Sequence, residues 1–411
     1  MVTENLKRYI RNLSWLVVAE LAARGASFVA IILIARSLGK EQLGIYSFVM
    51  SLVFIFAALA DLGISPIAIR ELSRNKKKVS TYLSCGITLK LFLGIIACTL
   101  ILLTGKISGK SDDVLVLLTM ASIWMIADSL SIFLGSIFQA FEDMRYVAFI
   151  RIIEKSTLLM ALGAVFIIGL TLKIVLAVYL LSGLLGLCIA IYIAWRRYNR
   201  FVLAVDLGFS KKLLKESFFL GLSSFAFLIY NRIDIVMLSL IKDDEAAGIY
   251  SAYYNLFLLA GLVPILATAA VFPSFSNLYI TAREKLRQDY VKGLKILLIL
   301  AILLVVPIVI AGNWLLDILY GSEYVEAVTG LRILILTALF SFPAHLLSRL
   351  LIIAGRQKWV FWITAIAALL NIVLNIILIP FFGYIGASIA MVITGIFDVT
   401  ISFLIVRRVF I

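Results

Sequence analysis

Ionisable side chains set inside long apolar runs are the residues of this chain whose types and spacing allow chemistry. A charge at mid-bilayer costs about 2.5–3.5 kcal/mol on insertion scales, so a sequence keeps few of them unless they meet a partner, an ion or a polar ligand. Glu20 and Arg24 stand four residues apart on one helix face, with the acid toward the N-terminus, the favourable order for a pair. Either Glu20 holds Arg24 ready for an anionic head group, or the pair only locks helices together. In Tyr230-Asn231-Arg232-Ile233-Asp234 the two charges are two apart, hence on nearly opposite sides of a helix, where they cannot simply neutralise each other. Arg232 suits phosphate oxygens because a planar guanidinium donates two parallel hydrogen bonds. Asp234 is then left to pair with a neighbouring helix or to share the same cavity. His345 and Arg349 are four apart on one face, and the single histidine either titrates in a transport cycle or packs through a hydrogen bond. Lys90, Asp128, Glu154 and Asp398 are further intramembrane candidates for contact with a coupling ion. Asp61, in Ala60-Asp61-Leu62-Gly63-Ile64-Ser65-Pro66, closes an apolar run, so ion coupling and helix capping are both open to it.

The elements that must position these groups are membrane spans. Of the 411 residues 63% are hydrophobic and 15% charged, against roughly 25% charged in a soluble domain. The apolar runs are long enough to cross a core roughly 30 Å thick at 1.5 Å per residue. A barrel would instead alternate in polarity over strands of about ten residues. Spans are predicted over 13–36, 43–66, 80–104, 113–140, 145–170 and 173–195, then over 216–240, 247–273, 290–312, 324–353, 357–380 and 384–407. Gly25-Ala26-Ser27, Pro264, Pro307 and Pro343 are candidate bend points within them.

The net charge of +14 lies in alternate connections. One side carries Lys7, Arg8 and Arg11, the runs Arg70 to Lys78, Arg196 to Lys215 and Arg283 to Lys295, and Arg145, Arg356, Lys358, Arg407 and Arg408. The other has only Arg36, Lys40, Lys106, Lys110, Lys173 and Lys242. Lys and Arg near span ends resist translocation, so the bias predicts a multi-pass cytoplasmic-membrane protein with both termini in the cytoplasm. It also explains the basic charge without nucleic acid. Cys85, Cys98 and Cys188 lie in apolar segments without paired spacing, which indicates neither a disulfide framework nor a metal cluster. No cleaved signal peptide is read at the N-terminus.

The longest hydrophilic connection, near Arg196 to Lys215, divides the chain into 1–204 and 205–411, six spans each. Gly44-Ile45-Tyr46-Ser47 opens the second span and Gly248-Ile249-Tyr250-Ser251 the eighth; the turns Phe138 to Val147 and Ile352 to Phe361 repeat the order more weakly. Six spans return the chain to its starting side, so the halves share one orientation, as parallel repeats do. Two bundles of this kind suit alternating access.

Leu38-Gly39-Lys40-Glu41-Gln42-Leu43-Gly44-Ile45-Tyr46-Ser47, then Ala60-Asp61-Leu62-Gly63-Ile64 and Arg70-Glu71, resemble the N-terminal half of the polysaccharide and O-antigen flippases. Arg232-Ile233-Asp234-Ile235-Val236-Met237-Leu238 and Ala247-Gly248-Ile249-Tyr250-Ser251-Ala252 resemble their C-terminal half. The resemblance implies the fold of the MOP superfamily, which includes the MATE exporters: an all-α polytopic membrane protein of about twelve helices, in two six-helix lobes related by a pseudo-two-fold axis around a cavity. It also implies that the first, second, seventh and eighth spans line that cavity, with Arg24 and Arg232 as cations for a phosphate or pyrophosphate. The implied substrate is a lipid-linked oligosaccharide whose tail stays among the membrane lipids, and the implied partners are polysaccharide assembly enzymes. Peptidoglycan-precursor flippases carry two more helices than are read here.

Two rival functions follow from the same residues. An exporter of small organic cations would use Glu20, Asp61 or Asp234 as its proton or sodium site. A membrane enzyme would need a metal, a nucleotide site or a catalytic acid and base in a sizeable loop; the longest connection is about twenty residues and there is one histidine. No Gly-x-x-x-x-Gly-Lys-Ser/Thr sequence is present. The reading is a transporter, not an enzyme, without a cofactor.

Overall fold

The computed structural model describes residues 2–169, 171–198 and 203–410, with side chains in the first helix at Trp15 and from Glu20 onward. Arg200 lies outside the described residues, as do the side chains of Lys7, Arg8 and Arg11. The helices are α1 (Val2–Asp61), α2 (Ile64–Arg74), the single turn α3 (Val79–Thr81), α4 (Ile87–Ile107), α5 (Asp112–Ala140), α6 (Met144–Ile168) and α7 (Leu172–Tyr198). They continue as α8 (Leu207–Ile241), α9 (Asp244–Ala260), α10 (Leu262–Thr281), α11 (Arg283–Tyr320), α12 (Val328–Ile335), α13 (Ala338–Ile353) and α14 (Gln357–Phe410). Among the described residues there is no strand. Helix is the expected answer in hydrocarbon, where each backbone N–H and C=O must find its partner within the segment.

Among the described residues nine stretches are long and apolar enough to cross a membrane. Two of them, Glu20–Arg74 of 55 residues and Gln357–Phe410 of 54, are each twice a span. They bend at Gly39 (φ 77°) and Gly383 (φ 53°), in the left-handed region that an L side chain avoids. Counting each as two, and adding the 25-residue α6 with its charges Arg145, Arg151, Glu154 and Lys155, gives the twelve expected spans. The α1 helix runs unbroken through Gly25-Ala26-Ser27, α11 through Pro307 and α13 through Pro343. Pro264 lies in the first turn of α10, where a missing N–H costs nothing.

The chain packs as two compact units. The first holds Met1–Leu38 and Val49–Leu228, the second Gly39–Phe48 and Ile229–Ile411. This packing division differs from the division at residue 204, which marks a connection. The reason is α8, whose first half seats in the first unit: a Cβ on Gly221 would lie 2.6 Å from the Leu62 carbonyl carbon. In the same unit Ile64, Leu72, Leu83, Phe133, Ile137 and Phe138 form a core that is almost wholly shielded.

In the second unit the two Gly-Ile-Tyr-Ser repeats meet. A Cβ on Gly44 would fall 1.6 Å from the Asp244 carbonyl oxygen, and one on Gly248 would fall 1.9 Å from that of Lys40. Only two glycines permit this backbone-to-backbone crossing. One turn further on, Ser47 Oγ donates to Ser251 Oγ at 2.8 Å. Lys40 closes the near end on Glu326 and, at 3.7 Å, on Glu245. The echo in the sequence is therefore a physical contact, made of equivalent residues from the two halves of the chain. Tyr250, Tyr253 and Tyr254 on α9 fill the adjoining core, with Tyr253 bonded to Ser388 Oγ at 2.9 Å.

Candidate functional site

Within the first unit, the apolar faces of α4, α5 and α6 enclose an ionic belt. Lys90 on α4, whose side chain is wholly buried, donates to Asp61 Oδ1 at 2.5 Å and lies over the Phe133 ring. Ser65 adds a hydrogen bond to the same carboxylate oxygen. Asp61 thus answers a charge on another helix; the cap position of α2 is Gly63, which carries no side-chain cap. On α6, Arg151 bridges Asp128 of α5 at 2.6 Å and Glu154 at 3.0 Å, and Lys155 completes the set on Glu154 at 2.7 Å. Lys155 also lies 5.9 Å from the Trp124 ring centre, a contact favourable to a cation in an apolar setting.

Each acid in this belt has a base, as a charge in hydrocarbon requires. Sequence reasoning singled out Asp61, Lys90, Asp128 and Glu154 but missed Arg151 and Lys155. The signal was present in Arg151-Ile-Ile-Glu154-Lys155, where spacings of three and four place all three on one side of a helix. Ser122 Oγ, Trp124 Nε1 and Ser129 Oγ, also in the first unit, are buried with no hydrogen-bond partner. Polar atoms in that position ordinarily hold water.

Glu20 and Arg24 form the expected pair, Nε to Oε1 at 2.6 Å, with the carboxylate more than half exposed and the guanidinium about one-third exposed. The pair is local to α1 and joins no other helix among the described residues. Glu20 takes one N–H of the guanidinium, which has five to give.

The second unit holds a site of the opposite character. Asp234, almost fully buried, accepts hydrogen bonds from Tyr250 Oη at 2.8 Å and Asn375 Nδ2 at 2.5 Å. Asn375 Nδ2 also reaches Asn371 Oδ1 at 2.9 Å, while Asn375 Oδ1 has no partner. The carboxylate is met by amides and a phenol, with no salt bridge among the described residues. Such a carboxylate is stable where it takes up a proton or a small monovalent cation, for which its oxygens and the amide oxygens are suitable ligands. Among the described residues no group of three or more His, Cys, Asp or Glu could hold a metal ion. Asn371 and Asn375, one turn apart on α14, carry no charge and so gave no signal in the sequence.

Arg232 is half-buried on a different face of α8, near Tyr254, as the two-residue spacing required. Arg349 lies over the Phe272 ring at 5.8 Å, and half-buried His345 is beside it. Asp398 accepts from Ser402 Oγ at 3.2 Å. Glu20 with Arg24, and Asp61 and Lys90 with the α5–α6 charges, lie in the first unit; the second holds His345 with Arg349, and Asp234 with its amides, Arg232 and Asp398, which adjoin through Tyr230 and Tyr254. Cys85, Cys98 and Cys188 are free thiols.

Comparison with known proteins places these groups in context. The family model described as polysaccharide biosynthesis protein matches residues 9–279, and the MatE model matches residues 220–377. The chain is 23% identical to a probable low-salt glycan biosynthesis flippase, Agl15, of Haloferax volcanii, over 91% of this chain and 78% of that one. It is 24% identical to a putative O-antigen transporter of Shigella flexneri, over 89% of this chain and 90% of that one. Among solved structures, lipid II flippase MurJ in an inward closed conformation matches with a TM-score of 0.80 at 18% identity, over 97% of this chain and 89% of that one.

Proposed function

The chain belongs to the polysaccharide biosynthesis protein family, whose model spans most of its length, and from that premise we propose that it flips a lipid-linked oligosaccharide across the cytoplasmic membrane for cell-surface glycan assembly. The carrier is a polyprenyl phosphate or pyrophosphate, translocated by alternating access. The observation that carries this reading is likeness along about nine-tenths of the chain to a glycan flippase and an O-antigen transporter. Cations kept within apolar spans agree with it, because an anionic head group crossing a membrane must be met by positive charge. Both termini lie in the cytoplasm, on the alternation of basic connections. The work is transport rather than catalysis, and enzymes of glycan assembly are the partners that load and remove the cargo.

Arg24 and Arg232 bind the phosphates, each through a guanidinium suited to two oxygens at once; Glu20 orients Arg24, and Arg349 supplies a further cation. Asp234, with Asn371 and Asn375, takes the coupling proton or monovalent cation. The belt of Asp61, Lys90, Asp128, Arg151, Glu154 and Lys155 holds the first unit together while remaining polar enough to admit water.

The test is reconstitution in liposomes with a fluorescent polyprenyl-pyrophosphate oligosaccharide, scored by its accessibility from outside. Wild type flips it, and Arg24→Ala and Arg232→Ala each lose about tenfold in rate, the value of one charge-assisted hydrogen bond, with unchanged thermal stability. A second reading, a cation exporter coupled to a proton or sodium gradient, draws on the MatE match and on buried Asp234. It predicts drug-cation transport and no lipid flipping in the same liposomes.

A further inference from the structure

The α11 helix is 38 residues long, about 57 Å at 1.5 Å per residue, against a hydrocarbon core of roughly 30 Å. Its outward face shows where the excess lies. From Ile296 to Ile310 the exposed residues are apolar, with Ile299 and Leu303 among them. Before that point they are mainly charged: Arg283, Glu284, Lys285, Arg287, Lys292 and Lys295, of which Glu284 is the one acid and sits in the first turn. The apolar stripe Leu286, Tyr290 and Leu297 faces inward and is buried. On α14 the same change occurs in reverse, from exposed Phe403 and Leu404 to exposed Arg407 and Arg408.

The two ends are pinned together by aromatic contacts. Phe410, the last residue of α14, packs on Tyr290 at 6.1 Å and on Tyr279 of α10 at 5.6 Å between ring centres. With Tyr290 and Phe410 level, a rise of 1.5 Å per residue puts Lys292, Lys295, Arg407 and Arg408 within about 8 Å of that contact in depth along the helix axes, on its membrane side. They therefore occupy the layer between the aromatic pin and the first lipid-facing apolar residues. Lys292 lies 3.6 Å from Asp289; Lys295, Arg407 and Arg408 have no acidic partner among the described residues.

We infer that this layer, formed by Lys292 and Lys295 of α11 with Arg407 and Arg408 of α14, is a binding site for the head group of an anionic phospholipid of the bilayer. The charge is complementary to a phosphodiester, the guanidinium groups can take two of its oxygens, and the apolar faces of α11 and α14 continue beneath for acyl chains. Free phosphate is a poor match, because the cations are exposed and spread along an interface rather than converging on a pocket. Tyr279, Tyr290 and Phe410 hold the two helix ends in register at the depth where aromatic side chains favour a membrane interface. The inference does not depend on which cargo the protein carries.

The test is native mass spectrometry of the full-length protein in detergent with equal phosphatidylglycerol and phosphatidylcholine. Wild type retains phosphatidylglycerol preferentially. The variant K292Q/K295Q/R407Q/R408Q loses that preference by on the order of a hundredfold or more, each interfacial Lys or Arg being worth about fivefold in affinity. An equal charge change on the opposite side, K106Q/K110Q/K173Q/K242Q, leaves it intact. If the fourfold variant fails to fold, K292Q/K295Q and R407Q/R408Q carry the test separately, each with a partial loss. Equal retention by wild type and the α11–α14 variants overturns the inference, as does equal loss in the opposite-side variant. Complete displacement of the lipid by millimolar inorganic phosphate also overturns it, in favour of a phosphate site.

Discussion

At the scale of single residues, the two units handle buried charge by different means, and substitution separates them. Arg151 serves Asp128 and Glu154 together, so Arg151→Met strands an acid in a low-dielectric interior and destabilises by about 3–5 kcal/mol. The double variant R151M/D128N removes charge in a balanced way and recovers part of that loss; equal melting temperatures for the two would contradict the pairing. Asp234→Asn is expected to fold, since its oxygen still accepts from Tyr250, and to flip its substrate without responding to an imposed sodium or proton gradient. A retained response would remove Asp234 from ion coupling. The sequence revealed Glu20 with Arg24 and the opposed faces of Arg232 and Asp234, because those relations are set by helical spacing alone. It could not reveal that Asp61 meets Lys90, a partner on another helix, or that Asp234 is held by uncharged Asn375, because both depend on how helices pack.

At the scale of elements, the Gly44–Gly248 crossing makes a strict demand on side-chain size. Gly248→Val places atoms where the Lys40 carbonyl now lies, so the helices must part and the Ser47–Ser251 hydrogen bond is lost. In an S47C/S251C protein a mild oxidant should form the disulfide readily, and adding Gly248→Val should abolish it, read as a change in electrophoretic mobility. Cross-linking unaffected by valine would show that the contact is not made. The repeated tetrapeptide was visible in the sequence as an echo, but its meaning as a contact was not, since a repeat says nothing of what it touches. The breaks in helical backbone at Gly39 and Gly383 were not legible in the sequence. Prolines drew attention at positions where α11 and α13 continue, whereas the bends at Gly39 and Gly383 depend on a single residue reaching positive φ.

At the scale of the molecule, span number was legible because it rests on length and hydropathy, which the bilayer fixes from outside the protein. Packing units were less so: the long α8 carries its first half into the first unit and Gly39–Phe48 joins the second, arrangements that no connection length encodes. Function follows at this scale, from likeness along nearly the whole chain joined to cations retained within the spans. The measurement that tests it most directly is translocation in liposomes holding both a fluorescent polyprenyl-pyrophosphate oligosaccharide and a fluorescent organic cation. Protein-dependent appearance of the lipid-linked sugar on the far leaflet, with the cation unmoved, is the predicted result; gradient-driven movement of the cation while the lipid stays in place would contradict the account.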